Sequence, residues 1–474
     1  MVKFFNAVQK EICRLQPING ILDILKKGFE AEFFIKILIQ VIMEAYAAVL
    51  LYAIPGFVLL IIIEALYAYF KGSFNFRSMD TISSLSSGTT NTLKSILGLS
   101  IVIISYGWVY EKVALVHIET TWLVYLLSFI AIDFSSYWSH RLNHSINIFW
   151  NRHVVHHSSE EFNLAVALRQ SISGFVSLGF IFLFPAALLG LPPKVIGVIA
   201  PLHLFMQFWY HTEHIGKLGW LEYIIVTPSQ HRVHHAINPI YLDKNLSAIF
   251  CIWDRAFGTF QEELEEEPCV YGVTRQVNTW NPIKINFQHV WLLIKDAWRT
   301  NNFDDKLRIW FMPTGWRPAD VVDKYPVPSS SPATFVKYDT AASRGLTIWT
   351  WLQFGMMNLL MAHMLLKIAD IPRVDLFIYG AFMFLLIYSF TTLMDRDPNA
   401  IWMEALKSVV GLAIIYLTGS WFLIDDLFAG GTAFVAIYWV VSALVVAWFV
   451  VYEIGWKMDG KRLSKTEERK GINA

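Results

Sequence analysis

The chain has 474 residues, 55% of them hydrophobic and 16% charged, with 38 basic side chains balancing 38 acidic ones. A composition this apolar excludes an ordinary soluble domain and points to a polytopic membrane protein, and the zero net charge offers nothing to a nucleic acid. Cys13, Cys251 and Cys269 are too few and too scattered for a disulfide framework or a thiolate metal site.

The segment Met1 to Lys36 is mixed polar and carries no cleavable-signal pattern. Crossing a bilayer takes roughly 20 apolar residues. Tyr52–Phe70, Ile96–Tyr110, Trp122–Tyr137, Ile172–Gly190 and Val195–Tyr210 read as the first five spans. A polar stretch from Glu213 to Arg344 follows, with the acidic run Glu262–Glu267 and a turn-rich linker at Tyr325–Pro332. Four further spans lie near Leu346–Leu366, Leu376–Leu393, Val409–Leu423 and Phe434–Val451. The expected fold is all-α, with about nine transmembrane spans and a cytoplasmic helical cap. Its parts are an N-terminal polar segment (1–45), a membrane module (46–212), the cap (213–344), a C-terminal bundle (345–456) and a basic tail (457–474).

Nine of the 14 histidines concentrate where spans meet polar sequence: His140 and His144, then His153, His156 and His157, then His211, then His231, His234 and His235. On a helix, side chains at i, i+3 and i+4 share a face, so each H-x2-H-H block aims three rings at one point. Nine convergent imidazoles exceed the needs of one ion and suit two. His214, three residues after His211, is a possible addition. His117, His203, His289 and His363 stand alone and read as hydrogen-bonding residues. Asp133, Asn163, Asp243 and Asn245 are expected to support the ligands, since a ligating imidazole commonly donates its other N–H to such a group. Asp133 lies seven residues, two helical turns, before His140 and inside an apolar span, where an unpaired charge is costly.

Span parity sets every cluster on one side of the membrane. The positive-inside rule makes that side cytoplasmic, because the tail carries Lys457, Lys461, Arg462, Lys465, Arg469 and Lys470. The N-terminal lysines fit this only if Pro55-Gly56 breaks the apolar run Phe33–Phe70 into two passes; the sequence leaves both arrangements open. Zinc and copper both accept imidazole, but catalytic zinc usually takes three protein ligands around one ion. Two adjacent ions in an all-histidine shell facing lipid fit oxygen activation on iron, with zinc able to substitute on purification. A metal transporter would stagger its ligands at mid-span. A metallohydrolase would need a metal-activated water, usually with carboxylate ligands.

Several stretches share more than spacing with a known group. Asp133-Phe-Ser-Ser-Tyr-Trp-Ser-His-Arg141 enters the first box, and Ser158-Ser-Glu-Glu-Phe-Asn163 and Ala167-Leu-Arg-Gln170 follow the second. Gln207–Glu213, Thr227–His235, Asp243-Lys-Asn245, Ile252–Phe260, Tyr271–Thr274 and Asp395–Ala400 come in the same order. They resemble the fatty acid hydroxylase/sterol desaturase superfamily of membrane di-iron oxygenases, and within it the alkylglycerol monooxygenases and their bacterial-type relatives. The resemblance implies O2-dependent hydroxylation of the ether-linked carbon of an alkylglycerol, giving a hemiacetal that separates into an aldehyde and a glycerol derivative. It implies two iron ions, a long-chain lipid delivered from the bilayer and an electron donor. The animal pattern has Glu where this chain has Ser145, so tetrahydrobiopterin and a redox protein both stay open as donors. Hydroxylation or desaturation of a sterol or fatty acyl lipid is the alternative. A multi-pass protein with its site at the cytoplasmic face is expected, in the endoplasmic reticulum of a eukaryote or the inner membrane of a bacterium.

Overall fold

The protein is seen in a computed structural model that describes residues 28–99, 105–174 and 179–455. Regular structure among these residues is helical, with no strand and two isolated bridges, Ile146 with Pro313 and Ala236 with Tyr271. Four helices are long and apolar enough to cross a membrane: Ala47–Lys71, Arg373–Met394, Ala400–Thr418 and Gly431–Gly455. Three match expected spans closely, whereas Ala400–Thr418 starts nine residues before the expected Val409–Leu423 and ends at the Gly419 cap.

The other expected spans take different forms. Trp122–Ser145 starts where expected, capped by Thr121, but runs two turns past Tyr137 and so carries His140 and His144 on its last turns. Arg344–Leu366 packs a row of Met356, Met357, Leu360, Met361 and Met364 into the C-terminal bundle. Pro193–Phe205 is apolar and shorter than a full crossing. The stretch Ile172–Gly190 is not one span among the described residues. It is irregular to residue 174 and resumes as the short helices Gly179–Phe182 and Phe184–Leu188, the second opened by Pro185. Pro lacks the N–H that would join those two turns into one. The expected span Ile96–Tyr110 is likewise divided: one helix ends at Ile96, Gly98 turns the chain at φ +64°, and an eight-residue helix starts at Tyr106. Its centre (100–104), the centre of the fourth span (175–178), the start of the N-terminal segment (1–27) and the basic tail lie outside the described residues.

The proposed break at Pro55-Gly56 does not occur: the Gly28–Lys71 helix runs through Pro55 without interruption. In apolar surroundings a broken helix would strand backbone polar groups without water, so continuing the helix is the cheaper solution.

Ser78–Ile96 is a helix that apolar patterning did not mark. It buries Ser83, Ser84, Ser86, Ser87 and Thr90 almost completely. It packs against helices Pro282–Arg299, Arg373–Met394, Arg344–Leu366 and Leu164–Ala167, and thereby ties the histidine-bearing helices to the C-terminal bundle. That bundle is the largest core, centred on Phe382, Met383, Leu386, Phe390, Trp421 and Trp439. Within it, Lys407 and Glu404 form a fully buried ion pair, completed by the hydroxyls of Ser389 and Ser442.

Candidate metal centre

All nine cluster histidines meet at one place, in two groups. His140, His144, His153, His157 and His234 form the first, and His156, His211, His231 and His235 the second; within each, one ring nitrogen per residue lies within 4.8 Å of the others. Four local structures produce this. The Trp122–Ser145 helix presents His140 and His144 one turn apart. Ile146, extended at φ -125°, ends it and starts Asn147–His157, which carries His153, His156 and His157. Pro228 opens a seven-residue helix bearing His231 and His234, with His235 at its C-cap. His211 follows Pro193–Phe205 in a loop. The H-x2-H-H blocks do not each serve one ion: His156 and His234 cross to the group opposite their neighbours.

Five rings are oriented through Nδ1. His140 donates to the Leu246 carbonyl at 2.7 Å, His156 to Arg169 at 3.2 Å, His211 to Gln207 at 3.1 Å and His234 to Lys244 at 2.9 Å. His144 faces the Asp243 carboxylate at 3.0 Å. A carbonyl has no proton to give, so the hydrogen sits on Nδ1 and Nε2 keeps a bare lone pair. Those Nε2 atoms converge: His140 with His153 at 2.7 Å, His157 with His153 at 3.0 Å, His211 with His156 at 3.3 Å, His231 with His211 at 2.9 Å and His235 with His231 at 3.1 Å. The Nε2 atoms of His144 and His234 are buried and have no partner among the described residues.

A buried orphan lone pair costs about 1–3 kcal/mol, and facing lone pairs repel unless a proton or cation lies between them. A metal–imidazole bond of roughly 2.0–2.1 Å places neighbouring ligand atoms roughly 3 Å apart, which the observed spacings match. The residues therefore fit two ions. Burial, reinforced by neighbouring imidazoles, holds His140, His153, His157, His211, His231, His234 and His235 well below the ordinary imidazole range. It brings His156 to about 4. Neutral rings can ligate. The groups abut where His157 and His235 stack, with ring centroids 4.4 Å apart.

The supporting residues divide. Asp243 reaches His144, as expected. Asp133, expected to support a cluster histidine, instead accepts from His203 Nε2 at 2.7 Å, from the Ile249 and Phe250 amides and from Trp253 Nε1 at 2.8 Å. The reason is packing: Pro193–Phe205 and the 249–253 turn close on the face of the Trp122–Ser145 helix that carries Asp133. Asn163 caps Leu164–Ala167 and bonds the Asn75 carbonyl. Asn245, at φ 52°, bonds the Gln230 and Gln261 carbonyls and touches no cluster ring. His214 lies outside both groups, its ring edge-on to Tyr67. His117, His203, His289 and His363 each bond a group outside the cluster: Tyr110, Asp133, Asn147 and Tyr379.

Sequence reasoning assigned no role to Asp254, Arg169 or Arg232. Asp254 accepts from the Leu246 and Ser247 amides, fixing the peptide whose carbonyl anchors His140. Arg169, buried against Asp80 and Ser84, bonds Val155 and Ser158 while its own carbonyl anchors His156. Arg232 forks onto Glu263 and ties down the Thr212 and Ile215 carbonyls beside His211. The signal was present for all three, each within a stretch noted for its resemblance, but nothing in the sequence assigns their partners. A cavity of about 520 Å³ opens beside the first group, with His144, His157 and His234 in its wall.

The fatty acid hydroxylase family model matches residues 125–259, a range that contains all nine histidines. The chain is 36% identical to the alkylglycerol monooxygenase of Homo sapiens over 369 residues, 76% of this chain and 81% of that one. It is 32% identical to the alkylglycerol monooxygenase of Xenopus tropicalis over 362 residues, 75% and 79% of the two chains. An ornithine lipid hydroxylase of Rhizobium tropici is 28% identical over 160 residues, covering 32% of this chain and 46% of that one. No solved structure matches.

Proposed function

Since this chain belongs to the alkylglycerol monooxygenase family, with a fatty acid hydroxylase domain around its histidines, we propose that it is a di-iron membrane enzyme that uses O2 to cleave the ether bond of alkylglycerols. The observation that carries this reading is the division of nine converging imidazoles into groups of five and four. One group would hold each iron, and the pair of ions would supply the oxidant derived from O2. The chain's own residues do the rest. Backbone carbonyls and Asp243 orient five of the nine rings through Nδ1, turning that nitrogen away from the centre. Trp150 and Phe162 pack against cluster rings and keep bulk water from them.

The net reaction consumes one O2, two electrons and two protons. One oxygen atom enters the C–H bond next to the ether oxygen and the other leaves as water. The hemiacetal then separates into an aldehyde and glycerol. A reduced pterin or a redox protein would supply the electrons. A long apolar chain suits a substrate taken from the bilayer, since burial is worth about 0.8 kcal/mol per CH2. We place the centre at the cytoplasmic face under the 213–344 cap.

The test is incubation of iron-loaded enzyme with a long-chain alkylglycerol under 18O2 and a reductant, trapping the aldehyde before it exchanges with water. Label in the aldehyde is the expected result. Turnover without oxygen would make the protein a hydrolase, and oxidation of a sterol or acyl lipid alone would retain the chemistry and replace the substrate.

A further inference from the structure

The cavity beside the first group has a second chemical feature. Its wall includes Arg275 and Arg317. Arg317 is committed, its guanidinium forked onto Asp296 by Nε and Nη2. Arg299 reaches the same carboxylate at 3.9 Å, so Asp296 has no charge to spare. Arg275 is half-buried, and among the described residues it makes no hydrogen bond or ion pair; it feels Asp296 only beyond ion-pair distance, against the like charge of Arg317. Taking a guanidinium from water without an anion is unfavourable, so such a residue calls for one from outside the chain. An independent observation points the same way: the Thr314 hydroxyl, in the same wall, is buried with no partner among the described residues. The carboxylate in the wall, Asp243, is engaged by His144. Leu292, Leu293, Val273 and Ile237 make the rest of the wall apolar, which a small inorganic anion would not need.

We propose that this cavity binds an amphiphile by its anionic head group, with Arg275 as the charge partner and Thr314 as an added donor. The inference goes beyond the alkylglycerol reading, because it gives this cavity a preference for anionic over neutral amphiphiles, and it rests on the lipid-oxygenase reading only for what happens after binding. A planar guanidinium suits the paired oxygens of both carboxylate and phosphate. The two sources are distinguished by experiment.

The full-length protein, iron-free and in nanodiscs of uncharged lipid, is titrated calorimetrically with dodecyl phosphate, laurate, 1-O-dodecylglycerol and inorganic phosphate. Dodecyl phosphate or laurate should bind at least tenfold more tightly than the equally long neutral ether, and whichever does so names the head group. Arg275→Gln should abolish that preference while leaving the neutral probe unchanged, and Arg275→Lys should keep part of it. Comparing variants cancels partitioning of the probes into the nanodisc. Equal affinity for charged and neutral chains, or a preference that survives Arg275→Gln, would overturn the proposal. So would inorganic phosphate binding as tightly as dodecyl phosphate. Should Arg275→Gln fail to fold, Arg275→Lys and Thr314→Val decide the matter, each expected to weaken the anionic probe alone. Because binding is measured without iron or oxygen, its failure is separate from a failure of the oxygenase reading, which the 18O2 assay detects.

Discussion

At the scale of single residues, what distinguishes the histidines is where their second nitrogen goes. Asp243→Asn should weaken metal binding roughly 10–100-fold, the usual cost of losing a group that orients a ligand, and competition with a chelator measures it. Asp133→Asn should behave differently. Its carboxylate gathers four donors and touches no cluster ring, so the expected loss is about 2–3 kcal/mol of stability. Metal affinity should change less than in Asp243→Asn; the reverse order would reinstate Asp133 as a ligand support. His289 supplies a pH test. Burial lowers it from 6.5 to about 4 while its Nε2 donates to the Asn147 carbonyl. The unfolded chain therefore takes up the proton first, and stability present above pH 6.5 is lost as pH falls towards 4, by up to about 3 kcal/mol. Melting of His289→Gln should fall less steeply than wild type across that interval; parallel profiles would exclude the effect. The convergence of the nine histidines was legible in the sequence, because spacing on a helix dictates which rings share a face. Their partition was not. His156 and His234 join the group opposite their neighbours because of where two helices cross, and that crossing is set by contacts remote in sequence.

At the scale of elements, legibility followed apolarity. Spans with an unbroken apolar run, such as Arg373–Met394 and Gly431–Gly455, were visible because nothing else accounts for such runs. The Ser78–Ile96 helix was not, because Ser-Ser-Leu-Ser-Ser-Gly-Thr-Thr reads as a loop until neighbours bury it. Two of its hydroxyls illustrate this: Thr90 bonds the Ser87 carbonyl within the helix, and Ser87 reaches the Gln170 carbonyl 83 residues away. Gly88 shows why small residues are needed. A Cβ there would lie 2.7 Å from the Leu168 carbonyl oxygen, a backbone atom that cannot rotate away. Gly88→Ala should cost roughly 1–3 kcal/mol by overpacking, and it should loosen the Arg169 segment that anchors His156. A thermal midpoint equal to wild type would show that the two helices can separate freely.

For the whole molecule, the buried pair in the C-terminal bundle indicates how the helices of that half are held together. Lys407 and Glu404 are each about 1% exposed or less. Removing one partner leaves a charge in a dry interior, so Lys407→Met alone should destabilise by about 3–5 kcal/mol. Lys407→Met with Glu404→Gln should recover much of that loss, since two neutral groups need no counter-ion. If the double variant is as unstable as the single one, the pair is more than a matched burial. Neither residue lies in the histidine groups, so the refolded double variant should keep its metal.

Four of the five Nδ1 acceptors are peptide carbonyls, at Leu246, Arg169, Gln207 and Lys244. A point mutation exchanges a side chain and leaves the carbonyl in place. The orientation of these rings is thereby insulated from most single-nucleotide change, whereas the cavity wall beside them is made largely of replaceable side chains. Lineages descending from such an architecture can drift in what they accept while inheriting the histidine cluster intact, and laboratory evolution of this chain should change what it binds sooner than how the cluster is held.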